Sequence, residues 1–328
     1  MTKIIEFDNI CKDFKISLKG KGVAGALKGL FKRQYKTVNA LKDVSFAVEE
    51  GDIVGYIGPN GAGKSTTIKI MSGILTPTSG NCKINGFVPW KNRKKYVRNI
   101  GVVFGQRSQL WWDVPIRDSF LLLKSIYKIP NEEYEKTLAL LVDVLNLGEL
   151  LDRPLRQLSL GQKMKCELAG ALLHKPKILF LDEPTIGLDA VTKLAVRDFV
   201  KYINKTWHTT IILTTHDMSD IDALTNKIIL IGKGQILYNG SFTEIKHKYG
   251  SAKTITVEFA KEYKKVELEG YEVVSHNKNT AVFKTQKHEF NTKDFINHIS
   301  EKYEVVDFSV DMVGVDEILA KLYTEYHI

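Results

Sequence analysis

The stretch Ile53-Val54-Gly55-Tyr56-Ile57-Gly58-Pro59-Asn60-Gly61-Ala62-Gly63-Lys64-Ser65-Thr66 decides the fold. Its first five residues are an unbroken apolar run, the pattern of a strand buried on both faces. The next eight match G-x-x-x-x-G-K-[ST], and the periodic segment 64–75 that follows reads as a helix. Strand, glycine-rich loop and helix in that order form a phosphate-binding loop. Its glycines let successive backbone N–H groups turn toward phosphate oxygens, and the new helix adds the positive end of its dipole. Lys64 is placed for β- and γ-phosphates, Ser65 for a magnesium ion and Thr66 for the α-phosphate.

Outward from this loop the same kind of run recurs at 101–104, 178–181 and 211–213, alternating with helical segments at 116–127, 132–145, 161–173 and 192–206. The alternation predicts an α/β core with a parallel sheet covered by helices. Two alternating segments ahead of it, 4–10 and 44–48, predict an antiparallel edge, and 227–231 with 235–238 around Gly232-Lys233-Gly234 predict a hairpin. Beyond Tyr249-Gly250-Ser251 the chain changes to short strands at 254–259, 281–285 and 305–310 with helices at 292–302 and 315–326. The expected organisation is a core domain over 1–250 and a small α+β module over 251–328.

The 328 residues carry a formal net charge of +9, and seven of the excess cations lie between Lys15 and Lys36 without an Asp or Glu among them. This basic insert, 15–36, reads either as a solvated loop or, over 23–35, as a basic amphipathic helix suited to an anionic membrane surface or an acidic patch on a partner. No run of about 18 apolar residues and no leader pattern at the start are found, so a cytoplasmic protein is expected. Cys11, Cys82 and Cys166 are scattered, with neither disulfide-framework nor metal-ligand spacing, and are expected to be reduced.

Ile178-Leu179-Phe180-Leu181 ends in Asp182-Glu183. Two carboxylates at the C-terminal end of a buried strand lie where open α/β sheets bind ligands. Asp182 is placed to hold magnesium and Glu183 to orient or deprotonate an attacking water. Read alone, such a pair is more commonly two solvated acids; the phosphate-binding loop upstream changes that balance.

Leu158-Ser159-Leu160-Gly161-Gln162, just before the helix holding Glu167-Leu168-Ala169-Gly170-Ala171-Leu172, resembles the signature of ABC transporter ATPases, with Leu160 where glycine is more usual. The resemblance covers roughly residues 4–249. It implies an ATP- and Mg²⁺-dependent ATPase whose Ser159, Gly161 and Gln162 address the nucleotide of a second ATPase subunit. By the same resemblance Gln106 is the glutamine that contacts magnesium and attacking water, and His216 is the switch histidine at the γ-phosphate. Asp189, in Gly187-Leu188-Asp189, belongs to the loop between the two composite sites. Phe14 falls where an aromatic ring stacks on adenine, with a place in the core as the alternative. A helical subdomain over about 107–170 follows Gln106.

The stretch Gly105-Gln106-Arg107-Ser108-Gln109-Leu110-Trp111-Trp112-Asp113 resembles a bacterial subfamily whose ATPases pair with separately encoded, exporter-type permeases. That implies a subunit at the cytoplasmic face of the membrane. Trp111 and Trp112 are then either anchors for a permease helix or internal packing. An ATPase acting on nucleic acid or the ribosome, and an ATP-driven regulatory dimer, are the rivals. Ribosome-acting members usually hold two such domains in one chain, and DNA-repair members a long coiled coil; this chain has neither pattern, so no nucleic-acid partner is expected.

Overall fold

A computed structural model describes residues 2–18, 34–105, 107–249, 253–285, 291–312 and 315–326. The chain divides into two compact units, Met1–Gly240 and Ser241–Ile328. The division falls about ten residues ahead of the expected position. Helix Phe242–Tyr249 packs on helix Val315–Glu325 and so goes with the C-terminal unit.

The first unit holds two sheets. Strands β1 (Lys3–Leu18), β2 (Gln34–Glu49) and β4 (Ser79–Ile84) form an antiparallel sheet in the order β2-β1-β4. The second sheet has six strands in the order β5-β6-β7-β3-β8-β9: β3 (Ile53–Ile57), β5 (Ile100–Phe104), β6 (Ile178–Asp182), β7 (Thr210–Thr214), β8 (Lys227–Gly232) and β9 (Gln235–Ser241). Strands β5, β6, β7, β3 and β8 are parallel. Their continuous apolar runs are buried, as a sheet covered on both faces requires. One core joins both sheets and helix α1 (Lys64–Met71), with Phe7, Phe46, Tyr56, Ile68, Phe180 and Ile229 among its members.

β1 and β2 extend well past the expected 4–10 and 44–48. Their ladder continues through Lys15↔Thr37, Ile16↔Lys36 and Leu18↔Gln34. Residues 15–18 and 34–36 of the basic insert are therefore strand, and the expected helix over 23–35 loses its last two residues to β2. The rest of that segment, 19–33, lies outside the described residues.

Helix α2 (Arg93–Tyr96) precedes β5. The helical subdomain contains α3 (Ile116–Tyr127), α4 (Asn131–Leu145) and α5 (Leu160–Leu172). Pro115 and Pro130 immediately precede α3 and α4, and Lys128 and Asn146 end them in the left-handed conformation. Glu132 and Glu133 sit in the first turn of α4, where the helix dipole favours them. Helices α6 (Ala190–Trp207) and α7 (Met218–Leu224) complete the unit. No helix among the described residues is long and apolar enough to cross a membrane. Cys11, Cys82 and Cys166 are free; Cys82 and Cys166 are buried, and burial pushes the Cys166 thiol up to about 12.

In the second unit β10 (Lys253–Phe259), β11 (Tyr271–Asn277), β12 (Thr280–Thr285) and β13 (Val305–Met312) form an antiparallel sheet in the order β11-β12-β10-β13. Its core gathers Ile255, Val257, Phe259 and Phe283 with Phe295 and Ile299 of α9 (Thr292–Lys302). Helices α8 (Phe242–Tyr249) and α10 (Val315–Glu325) pack together.

One contact fastens the helical subdomain to the six-stranded sheet. The His174 ring, just past α5, stacks on Tyr127 of α3 at 3.8 Å and 4°, and its Nε2 lies 2.9 Å from the Ile100 carbonyl oxygen of β5. Its Nδ1 is buried without a hydrogen-bond partner among the described residues. Burial holds the imidazole pKa down at about 4, against an ordinary value near 6.5. Between these pH values the unfolded chain binds the proton and the folded chain does not. Stability is therefore present above about pH 6.5 and lost toward pH 4, by at most about 1.4 kcal/mol per pH unit. His174→Gln should flatten this part of the stability profile relative to the parent in urea melts taken across that window.

Candidate nucleotide site

The sheet order brings four strand ends together. β6 lies between β5 and β7, and β3 lies beside β7. Phe104 pairs with Asp182, and Asp182 with Thr214. The segments leaving these strands carry the phosphate-binding loop, the Gly105 turn, the paired carboxylates and His216. They enclose a cavity of about 480 Å³ lined by Asn60, Ser65, Lys69, Arg107, Asp182, Glu183 and His216, among others.

The loop is held from behind by the β8–β9 turn. Gly234 N–H donates to the Ala62 carbonyl (3.0 Å), and Lys42 N–H of β2 donates to the Gly234 carbonyl (2.8 Å). Gly63 has φ 115°, and a Cβ there would stand 2.7 Å from Leu41 Cδ2 and 2.9 Å from the Ala40 carbonyl oxygen, so only glycine fits. Lys64 opens α1 and is buried. Its ammonium donates to the carbonyls of Gly58 (2.6 Å) and Pro59 (3.1 Å). Desolvation lowers its pKa, opposed by the nearby carboxylates Glu183 and Asp182. Ser65 is exposed to the cavity and Thr66 is half-buried in the first turn of α1.

Asp182 Oδ1 accepts from Thr214 Oγ1 at 2.5 Å. Glu183 follows with φ 56°, a left-handed conformation that a residue with a side chain rarely adopts. Its N–H donates to the Thr214 carbonyl (2.9 Å) and Thr214 Oγ1 (3.2 Å). Its Oε1 lies 2.6 Å from His216 Nε2. A carboxylate at that distance orients the imidazole, and both groups face the cavity, with the Lys64 ammonium held by its own loop and near enough to feel both carboxylates. This is an arrangement for receiving a polyphosphate and activating a water beside it.

Other expected residues lie apart. Gln106 falls outside the described residues. Ser159, Gly161 and Gln162 do not line the cavity. Ser159 caps α5 in a capping box, accepting from Gln162 N–H (3.2 Å) while its own N–H donates to Gln162 Oε1 (2.9 Å). A Cβ on Gly161 would meet Thr192 Cγ2 at 2.8 Å, so the start of α5 sits directly against α6. Asp189 caps α6, accepting from Thr192 N–H (2.9 Å) and Thr192 Oγ1 (2.7 Å), which together depress its pKa. Leu160, in the unusual signature position, is exposed and reaches Gly187. Phe14 stands exposed on β1 with the Lys12 ammonium 5.2 Å from its ring centre, so it is not a core residue.

Trp111 and Trp112 are 40% and 53% exposed, which decides against internal packing. Trp112, beneath the Lys163 ammonium at 4.6 Å, lines a second, apolar groove of about 450 Å³ with Leu155, Leu160, Met164 and Ile186. Its wall is fixed by buried Glu167 of α5, which bonds Ser108 Oγ and accepts from Gln109 N–H at 3.1 Å. Burial raises the Glu167 pKa. Sequence reading missed Thr214, Arg107 and Glu167. Thr214 was open to notice as a hydroxyl ending an apolar strand; the other two carried no local signal.

The ABC transporter family profile matches residues 41–186. Linearmycin resistance ATP-binding protein LnrL of Bacillus subtilis is 32% identical over 67% of this chain and 70% of its own length. Methionine import ATP-binding protein MetN 2 of Enterococcus faecalis is 31% identical over 82% of this chain and 80% of its own. A dimeric, post-hydrolysis structure of the ATP-binding cassette MJ0796 with ADP and phosphate superposes with a TM-score of 0.61 at 25% identity, covering 72% of this chain and 98% of that one. The chain spans about a quarter (26%) of the length of a Dictyostelium discoideum relative, ABC transporter A family member 1. With the loop, the paired carboxylates, the histidine and the capped signature helix set out in this fold, the chain belongs to the ATP-binding proteins of the ABC transporter family.

Proposed function

We propose that the chain is the ATP-hydrolysing subunit of a transporter, working as a pair at the cytoplasmic face of a membrane and driving a separate permease. The observation that carries this reading is the cavity in which the Lys64 loop faces the Glu183–His216 pair. In the proposed cycle the loop's N–H groups and Lys64 bind the β- and γ-phosphates, and Glu183 takes a proton from a water aligned with the γ-phosphorus. His216, held by Glu183, donates to the γ-phosphate as negative charge builds on it. Gln106 completes the water's surroundings, and Phe14 offers its exposed ring to the adenine.

The donor set suits magnesium: Ser65, Asp182 and Gln106 supply hard oxygens, and a single carboxylate beside phosphates is how that ion is usually held. No cluster of three or more His, Cys, Asp or Glu among the described residues offers a softer or fully protein-built metal site. Magnesium bound there would neutralise phosphate charge.

Pairing is supported by the position of Ser159. Ser159 is exposed at the capped start of α5, outside its own chain's cavity, with its hydroxyl oxygen accepting from Gln162 N–H. A second copy would bring that N-terminus to the γ-phosphate, with Gly161, Gln162 and Asp189 at the seam. For the permease, the exposed tryptophans beside the apolar groove suit an anchor site for a helix, because large aromatic side chains are favoured anchors at the centre of interfaces. Export is the proposed direction, supported by the resemblance of residues 105–113 and by LnrL, whose name is a resistance function, although MetN 2 bears the name of an importer. The basic insert, which runs from Lys15 to Lys36, suits an anionic lipid surface.

Glu183→Gln should retain ATP binding, lower turnover at least a hundredfold and accumulate an ATP-bound dimer on size-exclusion chromatography; near-normal turnover would remove Glu183 from the role of base. Lys64→Ala should instead lose nucleotide affinity, read directly with a fluorescent ATP analogue.

With a permease encoded beside this gene and co-reconstituted in vesicles, ATPase activity should rise. Trp111→Ala with Trp112→Ala should abolish that rise and leave basal hydrolysis within about twofold. Stimulation by RNA or ribosomes instead would redirect the reading to a soluble ATPase.

A further inference from the structure

Asp220, on α7, is fully buried and lies outside the nucleotide cavity. Its two oxygens gather three separate segments. Oδ2 bonds the hydroxyl of Thr185 and accepts from Thr215 Oγ1 at 3.0 Å. Oδ1 accepts from Arg197 Nε and lies 2.6 Å from Arg197 Nη2. Thr185 is two residues past Glu183, Thr215 directly precedes His216, and Arg197 belongs to α6, the helix capped by Asp189. A second layer holds the same helices: Arg197 Nη2 donates to Ser219 Oγ at 2.5 Å, and the Lys193 ammonium lies 2.5 Å from Asp217 Oδ2.

A carboxylate stripped of water is costly unless its lone pairs are filled and a cation lies beside it, and removing one partner strands the other. Here every donor comes from a segment that delivers a functional residue. Both hydroxyls meet the same oxygen, so the segment after Glu183 and the segment before His216 share one anchor. Glu183 itself sits in a left-handed conformation that persists only where its surroundings over-determine it.

We propose that Asp220 is a positioning residue: through Thr185 and Thr215 it holds Glu183 against His216, and through Arg197 it makes that register depend on α6. A displacement at the Asp189 end of α6 is thereby passed to the hydrolytic pair by a contiguous chain of hydrogen bonds. The inference rests on the hydrolytic reading of Glu183 and His216.

The test uses the full chain with Thr185→Val, Thr215→Val and their combination. Each removes one hydroxyl at nearly constant volume and leaves the Arg197–Asp220 ion pair in place. Asp220→Asn is carried alongside, and because it disturbs a buried charge the Thr variants decide the outcome. Turnover at saturating ATP, fluorescent-nucleotide affinity and melting temperature are measured for each, with Glu183→Gln as the blank. The expected result is a fall in kcat of about tenfold or more for each single variant, since small misplacements of reacting groups cost that much. Nucleotide affinity should stay within about twofold, because the loop is untouched. The double variant should lose less than the product of the singles, as both act through one oxygen. Thr185→Ser and Thr215→Ser, which keep the hydroxyl, should restore most of the rate. Val variants with wild-type turnover per folded molecule and only a lowered melting temperature would overturn the proposal while Glu183→Gln stays inactive. An active Glu183→Gln would overturn the hydrolytic reading and this proposal with it.

Discussion

The site depends on the backbone ladder across β5, β6 and β7, which continues one step past the end of β6. Gly105 N–H donates to the Asp182 carbonyl, and Glu183 N–H donates to the Thr214 carbonyl. These two bonds hold the turn before Gln106, both carboxylates and the strand leading to His216 in one register. A central strand of a parallel sheet is paired on both sides, so its C-terminal residue has little freedom, and the chemistry is placed where the scaffold is stiffest. The left-handed turn at Glu183 is tolerable only on such a support.

Charge is arranged with comparable economy. Lys64 is buried and held by two carbonyls of its own loop, while desolvation lowers its pKa and the carboxylates across the cavity raise it. A cation kept partly unsatisfied in this way gains strongly from an arriving polyanion, because a triphosphate supplies the negative charge that burial withheld. Carbonyl oxygens are also weaker partners than phosphates, so the lysine is pre-aimed without being sequestered.

Much of this was legible in the sequence because it is written in contiguous residues. The apolar runs of β3, β6 and β7 announce buried parallel strands, and the loop, the carboxylates and the signature are each local patterns. What stayed hidden depends on distant partners. β4 reads Ser-Gly-Asn-Cys-Lys-Ile, with little strand propensity, and forms because β1 offers its edge to residues 79–84. β11 is similarly a product of pairing with β12. The outer arms of β1 and β2 were obscured by their basic charge, which suggests a loop although the ladder continues beneath it. Asp189 and Ser159 were read for their roles toward a nucleotide, yet within one chain each is first a helix cap. Those local bonds fix the loop conformations that a second subunit would meet.

The same distinction separates Asp217 and Asp220. Both lie on the segment after His216, and nothing in their spacing says that one is half-exposed and the other fully buried. Burial decides their consequences. Asp217, 3.8 Å from the Arg197 guanidinium and paired with Lys193, shares its charge with solvent and belongs to a network whose individual bonds are weak. Asp220 has no water to fall back on, so the positions of its three partners are mutually constrained. With a carboxylate and an imidazole held 2.6 Å apart just past the ends of two neighbouring strands, a buried carboxylate that touches the chain neighbours of both constrains their geometry more tightly than an exposed pair would, and it joins that geometry to α6, against which the start of α5 sits.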